Sequence, residues 1–525
     1  MSHLLHRRSG AARPERLFIV GLLVLLAWQL ALQIALVPNP PGPSRLDYAR
    51  SLQSDALGFV WFDNLKPPVT YLVHAVLVKA FGIEAFLSGL SPMLAVALQN
   101  ALGLYALYRA GMLLGVRPYF AGGLLLLLGI LLTQVTFWRT GQHYDHLSFA
   151  PSAALIWAFA HLATTPRIAT ALLAALAGVI VVLQNTIFAA VVPVMGAVLW
   201  IASQRRNRLL PWAIAILLPF GAGLGVSTKT FLNSGVFAPS TLGGMARMLV
   251  SLRAVDREPG QLRATAETLD LPDWWLWCFD NAIPVGSANA TGENARIHLS
   301  TSVAAGFCAP LTVYEDTHWP LDLGQLRAKV AQFDDPEPLQ AIDADILLTT
   351  TDRAQQSGFA PELKLRWVEL YTAKGAALHA AHRTENPRLY LNTYLRLAEK
   401  YAISEGPRFP AMIWSSLGAS TDRFLGQAMI NATVFGTTLL QVASPLLLLF
   451  SLWRLTVQLP VSLLRGSTRT ARYGVETALG AALLCQLVLF ATLVGEENAR
   501  YYLYALPFAT FLLLCLVPQK TKTSV

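Results

Sequence analysis

The sequence predicts an all-α polytopic membrane protein with a large inserted domain on one side of the membrane. Of its 525 residues, 54% are hydrophobic and 14% are charged, and the mean hydropathy is +0.47. That composition is too apolar for a soluble protein with one or two cores. Apolar stretches of about twenty residues, the length that crosses a bilayer, recur along the chain. The loops between them are alternately basic and acidic, which is typical of loops on the two sides of a membrane.

These stretches predict about ten transmembrane helices. The first, Leu17 to Val37, is longer than the apolar core of a signal peptide and is followed by prolines, so we expect a retained anchor. Residues 168–203 predict two helices joined by a turn at 184–186, because one helix would place the arginines at 205–208 on the wrong side. The predicted spans are residues 17–37, 86–108, 119–137, 147–163, 168–184, 186–203, 210–227, 431–453, 475–494 and 501–517.

The basic loops assign the two sides, because Lys and Arg concentrate in cytoplasmic loops. The residues that follow this pattern are Arg7, Arg8, Arg13, Arg16, Arg109, Arg117, Arg167, Arg205, Arg206, Arg208, Arg465, Arg469, Arg472, Lys520 and Lys522. Both termini are therefore predicted to be cytoplasmic, and the net charge of +9 needs no nucleic-acid partner. The chain divides into a transmembrane module at 1–227 with an outer loop at 38–85, an extracytoplasmic insert at 228–430, and C-terminal helices at 431–525.

The insert is large enough to fold as a domain, since roughly 200 residues can bury a core of their own. We expect it to be mixed or α-rich. Cys278 and Cys308 both fall in it and can form a disulfide in an oxidising compartment, but the sequence does not give their separation in space. Cys485 and Cys515 lie in apolar spans and are predicted to be buried thiols.

The outer loop carries the first candidates for chemistry. Asp47 follows the first helix closely, where a carboxylate beside the bilayer surface can take a proton from a hydroxyl. It can equally solvate an interfacial helix, as Asp55 and Asp63 would. Lys66, in a Lys-Pro-Pro run, can hold a phosphate as a point charge or extend its side chain to the interface. The loop predicts a pair of helices lying along the membrane interface, with the Pro run between them.

Two further outer segments carry charged residues. The link before the fourth helix contains His143, Asp145 and His146, which suggest a divalent metal site but lack a helical ligand spacing, so no metal or other cofactor is predicted. The last outer loop contains Arg500 at the start of the last helix. An unpaired guanidinium facing lipid would be costly, so Arg500 needs an anionic partner: Glu497 or its neighbour Glu496 in a salt bridge, or a phosphate.

Taken together, these segments resemble the GT-C membrane glycosyltransferases. The matching features are Asp47 and the Lys66 run in the first outer loop, Asp145 in YDHLSF, and Arg500 in ENARYYLYALP. The nearest branch is the family 39-like one that contains protein O-mannosyltransferases and aminoarabinose transferases. The resemblance covers residues up to about 227 and the last hundred residues. This chain departs from it at Tyr48, where many relatives have Glu, in the segment FGIEAFLSGLSP, which lacks an Arg often found there, and at Gln184, where relatives often have Lys.

The resemblance implies an inverting glycosyltransferase that moves a sugar from a polyprenyl-phosphate donor to a hydroxyl acceptor on the periplasmic face of a bacterial inner membrane. The acceptor would be a protein or a cell-envelope glycan or lipid. Asp47 would be the general base, Asp145 a second catalytic carboxylate, and Lys66 and Arg500 the donor-phosphate ligands. Tyr48, His143, His146 and Glu497 would support them. A periplasmic oligosaccharide ligase or polymerase, and a transporter of lipid-linked sugars, are the alternatives.

Overall fold

The computed structural model describes residues 2–35, 43–62, 68–136, 147–203, 208–234, 237–239, 247, 250–251, 254–255, 261–269, 282–284, 297–299, 374–404, 438–439, 441–465, 470–493 and 498–516. These residues are almost entirely helical, and five of the helices are long and apolar enough to cross a membrane. Five shorter apolar helices accompany them. The chain is therefore a helical polytopic membrane protein, as the composition predicts.

The helices and strands follow one another with mostly short connections. Their bounds are α1 Ser2–Ala35, α2 Pro43–Phe62, α3 Pro68–Leu87, α4 Leu90–Leu113, α5 Pro118–Thr136, α6 Phe149–Thr164, α7 Ile168–Gln184, α8 Phe188–Ala202, α9 Leu209–Ser234, α10 Gln261–Thr268, β1 Ala282–Pro284, β2 Ile297–Leu299, α11 Gly375–Glu385, α12 Pro387–Glu399, α13 Gln441–Leu464, α14 Ala471–Leu493 and α15 Asn498–Leu516. β1 and β2 pair in parallel, with Ala282 opposite Ile297.

The predicted turn between α7 and α8 is confirmed. α7 ends at Gln184 and α8 begins at Phe188. The Asn185 side chain closes the turn, because its Oδ1 accepts a hydrogen bond from the Ile187 backbone N–H at 3.1 Å. An Asn that bonds the backbone two residues later is a strong turn former.

Two predicted boundaries are wrong. The span expected at 431–453 continues to Leu464, since Arg454 is paired inside the bundle with Glu476 and does not end the helix. The span expected to end at residue 227 continues in α9 to Ser234. The hydroxyls of Thr228 and Thr230 bond to carbonyls of α9 itself, so they do not disturb it.

The basic residues gather at one end of the helix bundle, here called the basic end. Arg109, near the end of α4, pairs with Glu15 of α1 at 3.2 Å and interacts electrostatically with His161, near the end of α6. Arg208 donates to the Pro166 carbonyl at 3.3 Å, which ties the α8–α9 loop to the α6–α7 turn. The end of α7, the starts of α4, α6 and α8, and the end of α9 therefore lie at the opposite end.

α3 lies across this opposite end, although its length and composition would let it cross a membrane. Thr70, near its start, contacts Gln184 at the end of α7. Its last residue is joined through Ser88 and Gly89 to the start of α4. Gly89 has φ 81°, a left-handed conformation that glycine adopts without strain and that turns the chain sharply into α4. Both ends of α3 are thus at the same end of the bundle.

The described part of the insert is a helical hairpin with a few attached segments. α11 and α12 are joined at Asn386, and a π-helical turn, Lys400–Ser404, follows α12. Buried Val250 and Ala254 pack on Tyr390 of α12. The π-helical turn packs on the transmembrane helices, where Tyr401 is buried against Phe490 of α14. The insert therefore contacts the bundle through its last described helix and the turn after it.

Candidate functional site

The loop that contains Lys66 is anchored to the bundle on both sides. Before the loop, Lys229 Nζ of α9 donates to the Val60 carbonyl near the end of α2 at 2.8 Å. After the loop, Gln184 Nε2 of α7 donates to Thr70 Oγ1 of α3 at 3.2 Å. Both Gln184 and Thr70 are buried. Lys66 itself lies outside the described residues, but its loop begins and ends at positions held by α9 and α7.

α2 and α3 pack along each other as the predicted helix pair. Leu52 and Ala56 of α2 lie against Tyr71 and Ala75 of α3. Nearer the start of α2, fully buried Ala49 packs in a cluster with residues of α3 that lie further along it. Asp47 and Tyr48 are in the first turns of α2, just before Ala49; the structure gives their backbone and not their side chains. The predicted base therefore lies on a helix that crosses the opposite end of the bundle.

Lys229 is a candidate functional residue that the sequence interpretation missed. It lies in the last turns of α9, one of the helices that are apolar enough to cross a membrane, and its side chain is half-buried. Its ammonium group contacts a carbonyl near the C-terminus of α2, where the helix dipole favours a cation. The sequence feature that indicates a functional role for Lys229 is its position as an ionisable residue at the end of an apolar helix. It was overlooked because α9 was expected to end before it.

The start of α15, which carries Arg500, is held by aromatic side chains. Tyr502 packs against Tyr401 of the insert, with ring centroids 5.9 Å apart. Tyr504 packs against Phe188, the first residue of α8, also at 5.9 Å. Burial raises the pKa of Tyr401 well above its usual value, so this tyrosine is neutral throughout the physiological range. The structure gives the backbone of Arg500 and not its side chain.

The start of α6 lies at the same end of the bundle. His143, Asp145 and His146 lie outside the described residues, and the two residues that follow them, Leu147 and Ser148, are buried. α6 packs on both α4 and α15. The described chain that follows Asp145 therefore begins in a helix that packs beside the last helix.

Four elements thus meet at one end of the bundle: α2, the start of α3, the start of α6 and the start of α15. α2 and α15 carry predicted site residues, and the starts of α3 and α6 directly follow the segments that carry the others. Glu497, Cys278 and Cys308 also lie outside the described residues. Within the described ranges, no group of three His, Cys, Asp or Glu side chains could hold a metal ion. Cys485 and Cys515 are both free thiols; Cys515 is buried, as predicted, whereas Cys485 is only half-buried.

A buried polar network holds the hairpin of the insert. Ser251 Oγ lies 3.1 Å from His379 Nδ1 and accepts a hydrogen bond from the Tyr390 hydroxyl at 2.8 Å. His382 Nδ1 lies 2.9 Å from the Tyr390 hydroxyl, and the Tyr394 hydroxyl lies 3.3 Å from His379 Nε2. Burial lowers the pKa of His379 to about 4 and raises that of Tyr390 to about 12. Both histidines are therefore neutral at pH 7 while the hairpin is docked, that is, packed against Val250, Ser251 and Ala254.

Comparison with known proteins gives one similar solved structure. No protein-family model and no curated protein sequence matches this chain. The chain is similar to ArnT from Cupriavidus metallidurans, solved by crystallography bound to undecaprenyl phosphate, at 15% identity and with a TM-score of 0.31. The alignment covers 92% of this chain and 77% of that chain. A likeness at this level does not establish the function of this chain, which has to be inferred from its own residues.

Proposed function

We propose that this protein is a membrane glycosyltransferase that moves a sugar from a polyprenyl-phosphate donor to an acceptor hydroxyl. The single observation that carries the proposal is the convergence of α2, the anchored α2–α3 loop, the start of α6 and the start of α15 at one end of the bundle. These are the segments that bear the carboxylates and cations such a reaction requires. A lipid-borne donor would be presented beside helices that lie across that end.

The proposed topology has ten transmembrane helices in a bacterial inner membrane, with α2 and α3 at the periplasmic surface. The basic end faces the cytoplasm, because that is where membrane proteins concentrate Lys and Arg. Both termini are then cytoplasmic, and the insert and the site are periplasmic. Nucleotide sugars are made in the cytoplasm, so a site on the periplasmic side requires a donor that has been carried across the membrane on a lipid.

In the proposed mechanism, Asp47 takes the proton of the acceptor hydroxyl. The oxygen attacks the anomeric carbon from the face opposite the phosphate, a new C–O bond forms, and the bond from that carbon to the phosphate oxygen breaks with its electron pair. Polyprenyl phosphate leaves, and the configuration at the anomeric carbon inverts. Lys66 and Arg500 stabilise the charge that develops on the phosphate, while Asp145 orients the acceptor.

Lys229 extends this proposal. Its contact with the Val60 carbonyl fixes the end of α2 and therefore the first residue of the loop that carries Lys66. Its charge also raises the positive potential at that end. We assign it a positioning role, because its described contact is to the backbone of α2.

The test is mass spectrometry of lipid extracts from cells that carry the wild-type protein, no protein, Asp47→Asn or Asp55→Asn. Asp55→Asn is the matched control, since it removes a carboxylate from the same helix. We expect a polyprenyl-monophosphate sugar to accumulate without the protein and with Asp47→Asn, but not with Asp55→Asn. General-base catalysis contributes about a hundredfold to ten-thousandfold, so Asp47→Asn should abolish detectable turnover.

Two outcomes contradict the proposal. Identical lipid-linked sugars in all four strains would exclude a role in consuming such a donor and would favour a transporter. Accumulation of a diphosphate-linked oligosaccharide would instead identify a ligase or polymerase. Membrane insertion of each variant is checked by immunoblot of the washed membranes, so that a loss of protein is not mistaken for a loss of catalysis.

A further inference from the structure

A glutamine in α14 has no partner for its side-chain amide. Gln486 is fully buried, and neither its Oε1 nor its Nε2 makes a hydrogen bond within the part of the chain that the structure describes. The two other glutamines buried in that part of the chain both donate to an oxygen: Gln29 to the Gly129 carbonyl at 3.5 Å, and Gln184 to the Thr70 hydroxyl at 3.2 Å. A buried amide without partners destabilises a fold, so Gln486 points to a polar ligand.

A second polar group without a partner lies beside the same part of α14. Phe490 follows Gln486 by about one helical turn and therefore lies on the same face of the helix. The Tyr401 ring of the insert packs against the Phe490 ring, with centroids 5.0 Å apart. The Tyr401 hydroxyl is buried and has no hydrogen-bond partner in the described ranges. The amide and the hydroxyl thus both lie near one aromatic ring.

This part of α14 faces the start of α15. The Phe490 ring stacks on the Tyr504 ring, with centroids 6.2 Å apart. Tyr504 follows Arg500 by four residues, which is about 6 Å along the axis of α15. A group bound beside Phe490 would therefore lie about one helical turn from the residue proposed to bind the donor phosphate.

The polar groups at this position are neutral. Residues 477–493 and 501–516 of the sequence contain no charged side chain. Burial raises the pKa of the Tyr401 hydroxyl well above its usual value, so this hydroxyl stays protonated. The amide offers N–H donors and a carbonyl acceptor, and the phenol offers a donor and an acceptor. These groups match the hydroxyls of a sugar, whereas a phosphate or an ammonium group would find no opposite charge among these residues.

We propose that Gln486 and Tyr401 bind the hydroxyl groups of a neutral sugar carried by the lipid donor. The proposal rests on the proposed glycosyltransferase function and adds a subsite for the donor's sugar to it. Tyr401 belongs to the insert and Gln486 to the helix bundle, so the subsite lies at an interface between two parts of the chain, where ligand sites are frequent. Its distance of about one turn from Arg500 favours the donor over the acceptor, because the donor's sugar is bonded directly to its phosphate.

The test measures consumption of the donor by washed membranes that contain wild type, Gln486→Leu, Tyr401→Phe or Cys485→Ala. The donor is the lipid-linked sugar that accumulates in cells without the protein, and the membranes supply the acceptor. Cys485→Ala is the matched control, since it alters the side chain next to Gln486 on α14. We expect the KM for the donor to rise about tenfold in Gln486→Leu and Tyr401→Phe, with little change in kcat, and to stay unchanged in Cys485→Ala. A hydrogen bond made equally in the ground state and the transition state affects only KM.

Thermal unfolding of the purified full-length variants separates binding from folding. Without donor, Gln486→Leu should unfold at a temperature no lower than wild type, because it removes an amide without partners from an apolar environment. A lower unfolding temperature would show that the amide is structural and would overturn the proposal. An unchanged KM in Gln486→Leu or Tyr401→Phe would also overturn it, since internal water would then satisfy these groups. A lower kcat at unchanged KM would overturn the assignment to the donor.

The same measurements separate this proposal from the proposed function. If cells without the protein accumulate no lipid-linked sugar, the glycosyltransferase function fails, and the subsite with it. If the sugar accumulates and Asp47→Asn blocks its consumption, while Gln486→Leu consumes it as wild type does, the function stands and the subsite is overturned. The mass of the accumulated lipid tests the chemistry, because a sugar that carries an amino or carboxyl group would overturn the assignment to a neutral sugar.

Discussion

Acidification should detach the α11–α12 hairpin from the rest of the insert by protonating His379. In the docked hairpin, burial, together with the nearby charges of Arg383 and Arg247, lowers the pKa of this imidazole to about 4. In the undocked hairpin the pKa returns toward the ordinary value of about 6.5. Between these values the undocked state binds more protons than the docked one, so docking weakens as the pH falls.

The size of the effect follows from the two pKa values. Each pKa unit corresponds to about 1.4 kcal/mol, so the difference between 6.5 and about 4 amounts to roughly 3 kcal/mol. This contribution is fully present above pH 6.5 and is lost progressively as the pH falls to about 4. Burial also lowers the pKa of His382, so this second imidazole acts in the same direction.

Hydrogen exchange of the purified full-length protein measures the docking directly. Peptides from residues 374–399 should lose protection between pH 7 and pH 5, after correction for the intrinsic exchange rate, while peptides from α6 and α7 should not. His379→Gln, which cannot be protonated, should lose most of this dependence on pH. The reasoning is refuted if protection of the hairpin is the same at both pH values, or if the glutamine variant loses protection to the same extent as wild type.

Three further experiments test the contacts around the proposed site and the placement of α3. Lys229→Met removes the bond to the Val60 carbonyl, and we expect the KM for the lipid donor to rise about tenfold with little change in kcat; Lys79→Met, on the exposed face of α3, is the control, and an unchanged KM in Lys229→Met would contradict the positioning role. Tyr401→Phe removes a buried hydroxyl that has no hydrogen-bond partner within the described residues, so the free energy of unfolding should increase by about 1 kcal/mol and the unfolding temperature should rise. A fall in the unfolding temperature would show that the hydroxyl is needed. Cysteines introduced by Val69→Cys and Ser88→Cys, in a background without the native cysteines, should both react with a membrane-impermeant thiol reagent from the same side, since both ends of α3 lie at one end of the bundle; labelling from opposite sides would show that α3 crosses the membrane.

Local patterns predicted the helices better than their ends. The α7–α8 turn was predictable because Asn185 forms turns locally and the arginines after α8 fix the number of crossings. The end of α13 was not predictable, because Arg454 is tolerated only through its pairing with Glu476 on another helix. A sequence window shows a charged residue at that point and gives no information about a partner that is close only in the fold.

The described elements around the predicted site residues are known, whereas the roles of those residues stay predictions. The order of the loops predicted that Asp47, Lys66, Asp145 and Arg500 belong to one side of the membrane, and the described elements around them meet at one end of the bundle. Their roles stay predictions, because a role depends on distances between side chains. Lys229 could be assigned only from the structure, since its contact with Val60 joins two helices that are far apart in the sequence.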